Sequence, residues 1–233
     1  MAHKPSRMTL SVLACAGLLG GPAHAQGASV TTATVQTSTP DLAGARAALA
    51  AKDYATARTL FETALTKGYE DPDAHFGLGL ALYGLGDLPG AKFEFEQLVR
   101  LSPDRYEGHY NLGVVATRAR RFDDALAEYR KALEAARASK AGDAAVLTVL
   151  GALTTELTRR GDDAELVKTL TDVLALRPSD TDTRLRLAEA FVRAGRGTEA
   201  LPYAYSVLKD RPASVRAGLL IANVYAAQGL GER

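Results

Sequence analysis

The sequence repeats itself with a period of about 34 residues, which constrains the fold more than any other feature. Stepping by the period joins small residues to small ones and aromatic residues to aromatic ones, as in Ala57, Ala91 and Ala125 or Phe61, Phe95 and Tyr129. In the C-terminal part the same step joins Gly161, Gly195 and Gly229. Fixed periods of about 20 to 50 residues are typical of repeat proteins, whose units bury their apolar faces only against their neighbours.

Two consecutive repeats share a pattern of a Leu-Gly pair, an alanine and an aromatic residue, closed by a proline in the first of them: Leu78-Gly79, Ala91, Phe95 and Pro103, then Leu112-Gly113, Ala125 and Tyr129. This pattern resembles the tetratricopeptide-repeat family. The resemblance covers nearly all of residues 41–233. It implies an all-α fold, a right-handed superhelical solenoid of antiparallel helix pairs with about five and a half repeats and a concave inner surface.

The repeats fall into two registers. Ala125 and Leu166 occupy equivalent positions, but the distance between them along the chain exceeds the period by seven. The difference predicts an insertion at 140–146, between a sub-array of three repeats at 41–139 and a second one at 147–233 that ends in a single helix. We expect an extended helix or a loop there, with Asp143 as a candidate N-cap and a flexing point between the sub-arrays.

The N-terminal 25 residues have the three parts of a secretory signal peptide. Lys4 and Arg7 form a basic start, residues 10–20 are uncharged and mainly apolar, and residues 23–25 read Ala-His-Ala, the small-x-small form that signal peptidase cleaves. The apolar run is too short to cross a bilayer as a stable helix, and no transmembrane segment is predicted elsewhere. The sequence therefore predicts a signal peptide at 1–25 and an exported protein, periplasmic or extracellular.

An alternative is a lipoprotein signal, which would leave Cys15 lipidated.

Residues 26–40 carry no charge and are rich in Thr and Ser, which predicts a flexible leader before the folded part. Removing Lys4 and Arg7 would leave 26 basic residues against 27 acidic ones. A nearly neutral chain argues against nucleic acid as the main partner.

The folded part offers few groups for catalysis. His75 and His109 lie one period apart, so they occupy the same repeat position, where a packing role is favoured over metal binding or catalysis. No zinc-binding helix, nucleophile elbow or phosphate-binding loop is recognisable. We therefore assign no catalytic, cofactor-binding or metal-binding residue and expect a non-enzymatic scaffold that binds other proteins.

The resemblance implies that the first helix of each repeat lines the concave face. The groove-facing residues are then Phe76, Leu80 and Tyr83 in the second repeat, and Tyr110, Asn111, Val114, Thr117 and Arg118 in the third. Because most of these side chains are apolar or aromatic, we expect a peptide or helix with apolar or aromatic contacts as the partner. The same spacing also serves a core, and in that interpretation Phe76 and Tyr110 pack between helices and the groove is shallow.

The last predicted helix, residues 215–228, suggests an alternative function. A repeat array normally ends in a helix with a polar outer face, whereas this helix is apolar on most sides. Leu219, Leu220 and Val224 are candidates for contact with a second copy of the chain. In that interpretation the protein is a self-associating structural or assembly subunit.

Overall fold

The computed structural model describes residues 42–67 and 70–229. The predicted signal peptide at 1–25, the leader at 26–40 and the candidate lipidation site Cys15 lie outside the described residues. The described residues form eleven α-helices and no β-strand, which confirms the predicted all-α fold. The helices are α1 (Ala43–Ala50), α2 (Tyr54–Lys67), α3 (Pro72–Leu85), α4 (Leu88–Leu101), α5 (Tyr106–Arg118), α6 (Phe122–Ala138), α7 (Asp143–Arg160), α8 (Asp163–Leu176), α9 (Thr181–Arg193), α10 (Gly197–Asp210) and α11 (Val215–Ala227).

Consecutive helices pack against one another along the whole described chain. Each first helix packs on the second helix of its own pair, as α3 does on α4, and each second helix packs on the next pair, as α4 does on α5. The first helices also meet one another, since α1 contacts α3 and α9 contacts α11. This arrangement confirms the predicted solenoid of antiparallel helix pairs.

Short turns with aspartate caps set the boundaries between helices. Asp71 and Asp180 each accept hydrogen bonds from two backbone N–H groups of the helix that follows, and Asp87 caps α4 in the same way with one bond. These bonds satisfy donors that a helix leaves unpaired in its first turn. At the opposite ends of first helices, Gly86 and Gly161 adopt left-handed conformations with φ of 85° and 76°, which glycine does at little cost.

Two glycines let paired helices approach closely, as their small size predicts. Gly79 on α3 lies against the ring of Phe95 on α4, and Gly113 on α5 lies against the ring of Tyr129 on α6. A Cβ atom would lie 2.6 Å from Phe95 Cε1 in the first case and 2.5 Å from Tyr129 Cε1 in the second. Because carbon atoms pack best at about 3.5–4.0 Å, even alanine would force these rings to shift.

The seven extra residues lengthen two helices and leave the turn between them unchanged. The second helix α6 has 17 residues where α4 has 14, and the first helix α7 has 18 where α3 has 14. Residues 139–142 form a turn as long as those at 102–105 and 177–180. Of the two shapes expected for the insertion, the structure has the extended helix, and the flexing point stays a prediction.

Asp143 does not cap α7, so the expected N-cap was wrong. The N-cap position is Gly142, which has φ 93° and no side chain that could accept a hydrogen bond from the helix. Asp143 is the first helical residue instead. Its carboxylate still lies where it complements the positive end of the helix dipole.

The buried core continues across the insertion. One apolar cluster extends from α1 to α5 and includes Phe95 and Leu112, and a second extends from α5 to α11 and includes Val114, Tyr129 and Leu157. Leu112 and Val114 both belong to α5, so this helix contributes to both clusters. The helices on the two sides of the insertion, α6 and α7, share one cluster.

Candidate protein-binding surface

The accessible part of the predicted site lies where α3 meets α5. The guanidinium of Arg118 lies over the ring of Tyr83, with its Cζ atom 4.7 Å from the ring centroid. Its Nη1 also donates a 2.9 Å hydrogen bond to the Tyr83 carbonyl. Arg118 is exposed, while Tyr83 and Thr117 are half-buried. Two first helices thus jointly present a cation stacked on an aromatic ring.

The other five predicted site residues are buried in the described structure. Phe76 and Asn111 have no exposed surface, and Leu80, Tyr110 and Val114 expose 5%, 3% and 1% of theirs. A partner that binds this structure as it stands reaches the site through Tyr83, Thr117 and Arg118. The full set of eight residues stays a prediction.

Phe76 and Tyr110 lie one period apart and make equivalent ring contacts. The Phe76 ring packs on Phe95 with centroids 6.4 Å apart, and the Tyr110 ring packs on Tyr129 at 5.7 Å, both in tilted arrangements that aromatic pairs favour. Burial is the main cause of the raised pKa of Tyr129. These contacts correspond to the alternative in which Phe76 and Tyr110 pack between helices.

Asn111 is held by its own helix through one half of its amide. Its Nδ2 donates a 2.8 Å hydrogen bond to the carbonyl of Glu107, one helical turn earlier. Its Oδ1 has no hydrogen-bond partner among the described residues. A buried polar atom left unpaired costs about 1–3 kcal/mol, so internal packing accounts for only the donor side of this amide.

Thr117 belongs to a polar network that joins the helices on either side of the insertion. Its Oγ1 donates a 3.0 Å hydrogen bond to Glu156 on α7 and lies 3.3 Å from the hydroxyl of Tyr129 on α6. Glu156 is buried and also accepts a 2.6 Å hydrogen bond from Arg159, whose guanidinium covers the ring of Phe122. Burying a carboxylate is costly unless it is paired and hydrogen-bonded, and Glu156 has both kinds of partner.

The two histidines have glutamate partners that the sequence analysis missed. His75 Nδ1 lies 2.6 Å from Glu94 Oε2, and His109 Nδ1 lies 2.7 Å from Glu128 Oε2. Each pair ties the first helix of a repeat to the second. The hydrogen bond with His109 is the largest cause of the lowered pKa of Glu128. The signal was present in the sequence, because the two glutamates also lie one period apart.

Residues 42–67 and 70–229 contain no group of three or more His, Cys, Asp or Glu side chains placed to hold a metal ion. None of the helices in these ranges has the length and apolar character needed to cross a membrane.

A second concave region, which the sequence analysis did not assign, lies between α9 and α11. An open cavity of about 320 Å³ is lined by side chains of both helices, namely Glu189, Val192, Arg193, Arg216, Leu219, Leu220 and Asn223. The repeat pattern could have found it. Two periods plus the insertion lead from Thr117 to Val192 and from Arg118 to Arg193, so the cavity repeats the position of the predicted site.

The three residues predicted for self-association differ in exposure. Leu219 is 59% exposed, whereas Leu220 and Val224 expose only 7% and 4% and belong to the buried core. Val215, one turn before Leu219, is 71% exposed. The large exposed apolar side chains of α11 are therefore Val215 and Leu219, and self-association stays a prediction.

The sequence profile of the tetratricopeptide repeat matches residues 42–94, 94–141 and 167–215, which together make up more than half of the chain. The chain therefore belongs to the tetratricopeptide-repeat family, as its repeat pattern predicted. Members of this family bind peptides or other proteins, so the fold indicates a protein–protein interaction scaffold.

One sequence relative is cellulose synthase operon protein C of Xanthomonas axonopodis pv. citri (strain 306). It is 29% identical over 183 residues, which cover 76% of this chain but only 12% of the relative's length. Two solved structures share the fold. YrrB, described as a tetratricopeptide-repeat protein with an unusual peptide-binding site, is 19% identical with a TM-score of 0.58, covering 73% of this chain and 84% of its own. A chain of the Naa15/Naa10 complex bound to HypK-THB is 18% identical with a TM-score of 0.68. The match covers 82% of this chain and 29% of that one.

Proposed function

We propose that the protein is a non-catalytic scaffold that holds a peptide or helix of a partner protein on the concave surface of its first helices. The observation that carries this proposal is the accessible Arg118–Tyr83 pair, which joins α3 and α5. The Cζ atom of Arg118 lies 4.7 Å from the centroid of the Tyr83 ring. An aromatic ring and a stacked guanidinium together offer apolar area and hydrogen-bond donors, a combination enriched at interface hot spots. The peptide-binding site named for YrrB supports a peptide ligand by analogy.

The partner's contact is an apolar or aromatic side chain that covers the exposed part of the Tyr83 ring. Arg118 would then donate to a backbone carbonyl or a carboxylate of the partner, because one of its nitrogens already bonds the Tyr83 carbonyl and others remain available. Thr117 adds a hydroxyl at the edge of the same surface. In this arrangement the inner side of Tyr83 packs against the two buried apolar clusters.

The test removes the accessible pair and leaves the buried rings in place. Tyr83→Ala combined with Arg118→Ala should weaken partner capture by more than about tenfold, since a central aromatic or arginine commonly contributes about 2 kcal/mol or more. Capture is measured by cross-linking to the envelope fraction of the native host, and folding by the helical circular dichroism signal.

A matched control changes an aromatic residue and an arginine on a second helix. Phe93→Ala with Arg100→Ala on α4 should leave capture unchanged, because Phe93 is 48% exposed and away from the first helices. If the Tyr83 and Arg118 double variant is folded and captures its partner at wild-type strength, this surface is not the binding site.

We also propose that the protein acts outside the cytoplasm, in the periplasm or beyond it. The basic start, apolar run and Ala-His-Ala sequence of residues 1–25 support this. The likeness to a cellulose synthase operon protein favours a partner connected with cellulose synthesis. Mass spectrometry of the protein from its native host should find Gln26, or its cyclised form, at the N-terminus. A chain that retains Met8, or begins at a lipidated Cys15, would contradict cleavage at this site.

A second candidate function is self-association through α11, favoured by the exposed side chains of Val215 and Leu219. Light scattering at high micromolar concentration should then show a dimer or larger assembly that Leu219→Glu disrupts. A wild-type chain that stays monomeric under these conditions would exclude this function.

A further inference from the structure

The lengthened end of α6 forms one wall of an open cavity of about 430 Å³. The other walls are the turn before α5 and the first turn of α5 itself, and the lining residues are Pro103, Asp104, His109, Lys131, Glu134, Ala135 and Ala138. Ala138 is the last residue of α6, whereas the residue one period earlier, Asp104, lies beyond the end of α4. The wall at Ala138 is therefore supplied by the three residues by which α6 exceeds α4.

Two carboxylates of this cavity have no partner. Asp104 and Glu134 are exposed, and among residues 42–67 and 70–229 neither of them makes a salt bridge or a hydrogen bond. The cation that lines the same cavity is Lys131, and its Nζ is bound to Glu128 at 2.7 Å. The lining therefore contains two free negative charges and one positive charge that is already neutralised.

The cations next to the cavity along the chain are also bound elsewhere. Arg105 follows directly after the turn carboxylate, and its Nη1 is bound to Asp73 at 2.6 Å. Arg137 directly precedes the last residue of α6, and its Nη2 is bound to Asp172 at 2.6 Å. Neither guanidinium is bound to the two free carboxylates, so the cavity favours a cation supplied from outside.

The two carboxylates are specific to this part of the array. One period earlier, the equivalent positions hold Glu70 and Arg100, which carry opposite charges. In the following repeat, with the insertion taken into account, they hold Ser179 and Ala175. The acidic pair is therefore not part of the repeat pattern that builds the solenoid, and the fold gives no reason for its presence.

The remaining walls suit the stem of a long basic side chain. Pro103, Ala135 and Ala138 offer apolar surface, and lysine and arginine bury their methylene stems along such surface while the charged head stays at polar groups. His109 is held through its Nδ1, which lies 2.7 Å from Glu128 Oε2. When the imidazole is neutral and donates from Nδ1, its Nε2 is a further acceptor for an N–H group.

We propose that this cavity binds a lysine or arginine side chain of a partner protein, with the charged head paired to Asp104 and Glu134 and the stem packed on Pro103 and Ala138. A metal ion fits less well, because the described residues bring no three metal-ligating side chains together here. A free polyamine carries more charges than two carboxylates neutralise, and exposed ion pairs alone bind weakly. A protein adds further contacts around its basic residue.

This contact is separate from the surface of the proposed scaffold function. The turn that holds Asp104 lies before α5, and Arg118 is the last residue of α5. The helix has 13 residues, which is about 20 Å at about 1.5 Å per residue. The inference therefore adds a second contact to that function, and its residues can be changed without touching Tyr83 or Arg118.

The test uses the full chain and a random linear peptide library displayed on phage. Peptides that the wild type retains and an Asp104→Asn, Glu134→Gln double variant does not retain should be enriched in Lys or Arg. Both changes remove a charge, keep the size of the side chain and affect exposed positions, so the variant is expected to fold. Circular dichroism checks the folding.

One of these peptides, labelled with fluorescein, then gives the size of the effect by anisotropy. The double variant should bind it about tenfold more weakly than the wild type does, as loss of a charge pair at an interface commonly causes. Replacing the basic residue of the peptide with norleucine should cause a similar loss. The matched control is Glu70→Gln, which removes an exposed carboxylate from the equivalent turn of the preceding repeat and should leave binding unchanged.

A second variant tests the cavity without changing its charges. Ala138→Phe places a large ring on the wall that the stem is proposed to contact, at an exposed position where folding should be retained. Binding of the same peptide should again weaken by about tenfold. Binding at wild-type strength would overturn the inference, because the basic side chain would then lie outside the cavity.

The other outcomes separate this inference from the scaffold function. Equal retention of peptides by the wild type and the double variant, or differential retention of peptides without Lys or Arg, would overturn it. Binding of spermidine that the double variant loses, with no peptide retained, would also overturn it by identifying a free polyamine as the occupant. Failure of the scaffold function shows differently, as wild-type partner capture by the Tyr83 and Arg118 double variant.

Discussion

The N-terminal helices α1–α6 and the C-terminal helices α7–α11 build the same helix pair from different side chains. At the position of closest approach, the N-terminal repeats place glycine against an aromatic ring, as Gly79 against Phe95 and Gly113 against Tyr129. The equivalent positions in the C-terminal repeats hold a larger residue and a smaller partner, Thr154 with Leu170 and Ala188 with Ala204, all of them buried. The helix pairs are therefore retained although the sizes of the two side chains at this position differ from repeat to repeat.

The polar contacts inside the helix pairs also differ between the two regions. His75 and His109 bind glutamates inside the N-terminal pairs at 2.6 and 2.7 Å. The equivalent C-terminal positions hold Leu150, which is buried, and Arg184, which donates 2.6 Å hydrogen bonds to Ser206 and Asp210. The N-terminal pairs thus contain titratable groups that the C-terminal pairs replace with an apolar residue or a permanent cation. Their stability should respond differently to cavities, added methyl groups and acid.

The largest expected effect is the loss of an aromatic ring from an N-terminal pair. Phe95→Ala should destabilise the fold by about 3–5 kcal/mol, because it empties a buried site between α3 and α4. Phe93→Ala, two residues away and 48% exposed, should change the free energy of unfolding by about 0.5 kcal/mol or less. Urea unfolding measures both. If both variants lose the same free energy of unfolding, the buried ring of Phe95 does not contribute specially to the N-terminal pairs.

Adding one methyl group should have opposite signs in the two regions. Gly113→Ala should destabilise by about 1–3 kcal/mol, because the new Cβ meets the Tyr129 ring at 2.5 Å. Gly151→Ala on α7 should stabilise by up to about 1 kcal/mol, because open space surrounds the new Cβ and alanine favours helix. Thermal unfolding of the two variants checks the signs. Stabilisation by Gly113→Ala would show that the close contact is not required.

Acid should weaken the N-terminal pairs through Glu128. Its folded-state pKa lies below its ordinary value of 4.5, chiefly because of the hydrogen bond with His109. The sign follows from linkage: the stabilisation is present above the ordinary pKa and is lost as pH falls through the folded-state pKa. Melting temperatures between about pH 6 and pH 3 should therefore fall less steeply for Glu128→Gln than for wild type. The control is Glu134→Gln, an exposed change on the same helix, which should retain the wild-type slope.

The smallest effect should appear where the two regions join. The first amides of α7, residues 143–145, lack a side-chain cap, whereas Asp180 caps the first turn of α9. Amides of residues 143–145 should therefore exchange with solvent faster than those of residues 181–183. The expected difference corresponds to the stabilisation that one N-cap provides, about 1 kcal/mol. Hydrogen exchange measures this. Equal rates at the two helix starts, and exchange at 139–142 as slow as in α6, would exclude a flexing point.

The sequence predicted the helix pairs and their close contacts because both depend on spacing along the chain. The regular period places Gly113 and Tyr129 in successive helices of one pair, and the contact follows. The helical form of the insertion was harder to predict, since a period reports extra residues without saying whether they add turns of helix. The cap at Gly142 was missed for a related reason, because the positive φ that ends the turn is a property of the folded backbone.

The candidate site was predicted less completely than the fold. Phe76 and Tyr110 have the spacing of groove residues, but the coiling of neighbouring repeats decides whether a side chain on that face stays accessible. The partners of His75 and His109 required knowledge of which face of each second helix is turned inward.

The long helices α6 and α7 have a consequence for how a partner finds its place on the array. In a chain of equal units, a ligand displaced by one repeat meets almost the same surface, so its alignment is degenerate. The extra three and four residues of these helices add roughly 4.5 and 6 Å of length at about 1.5 Å per residue, and residues 137–144 are all exposed. These exposed residues form a landmark, a surface that no other repeat has, and it interrupts the regular repetition of the array. A partner that touches this landmark can sit on the array in one alignment only.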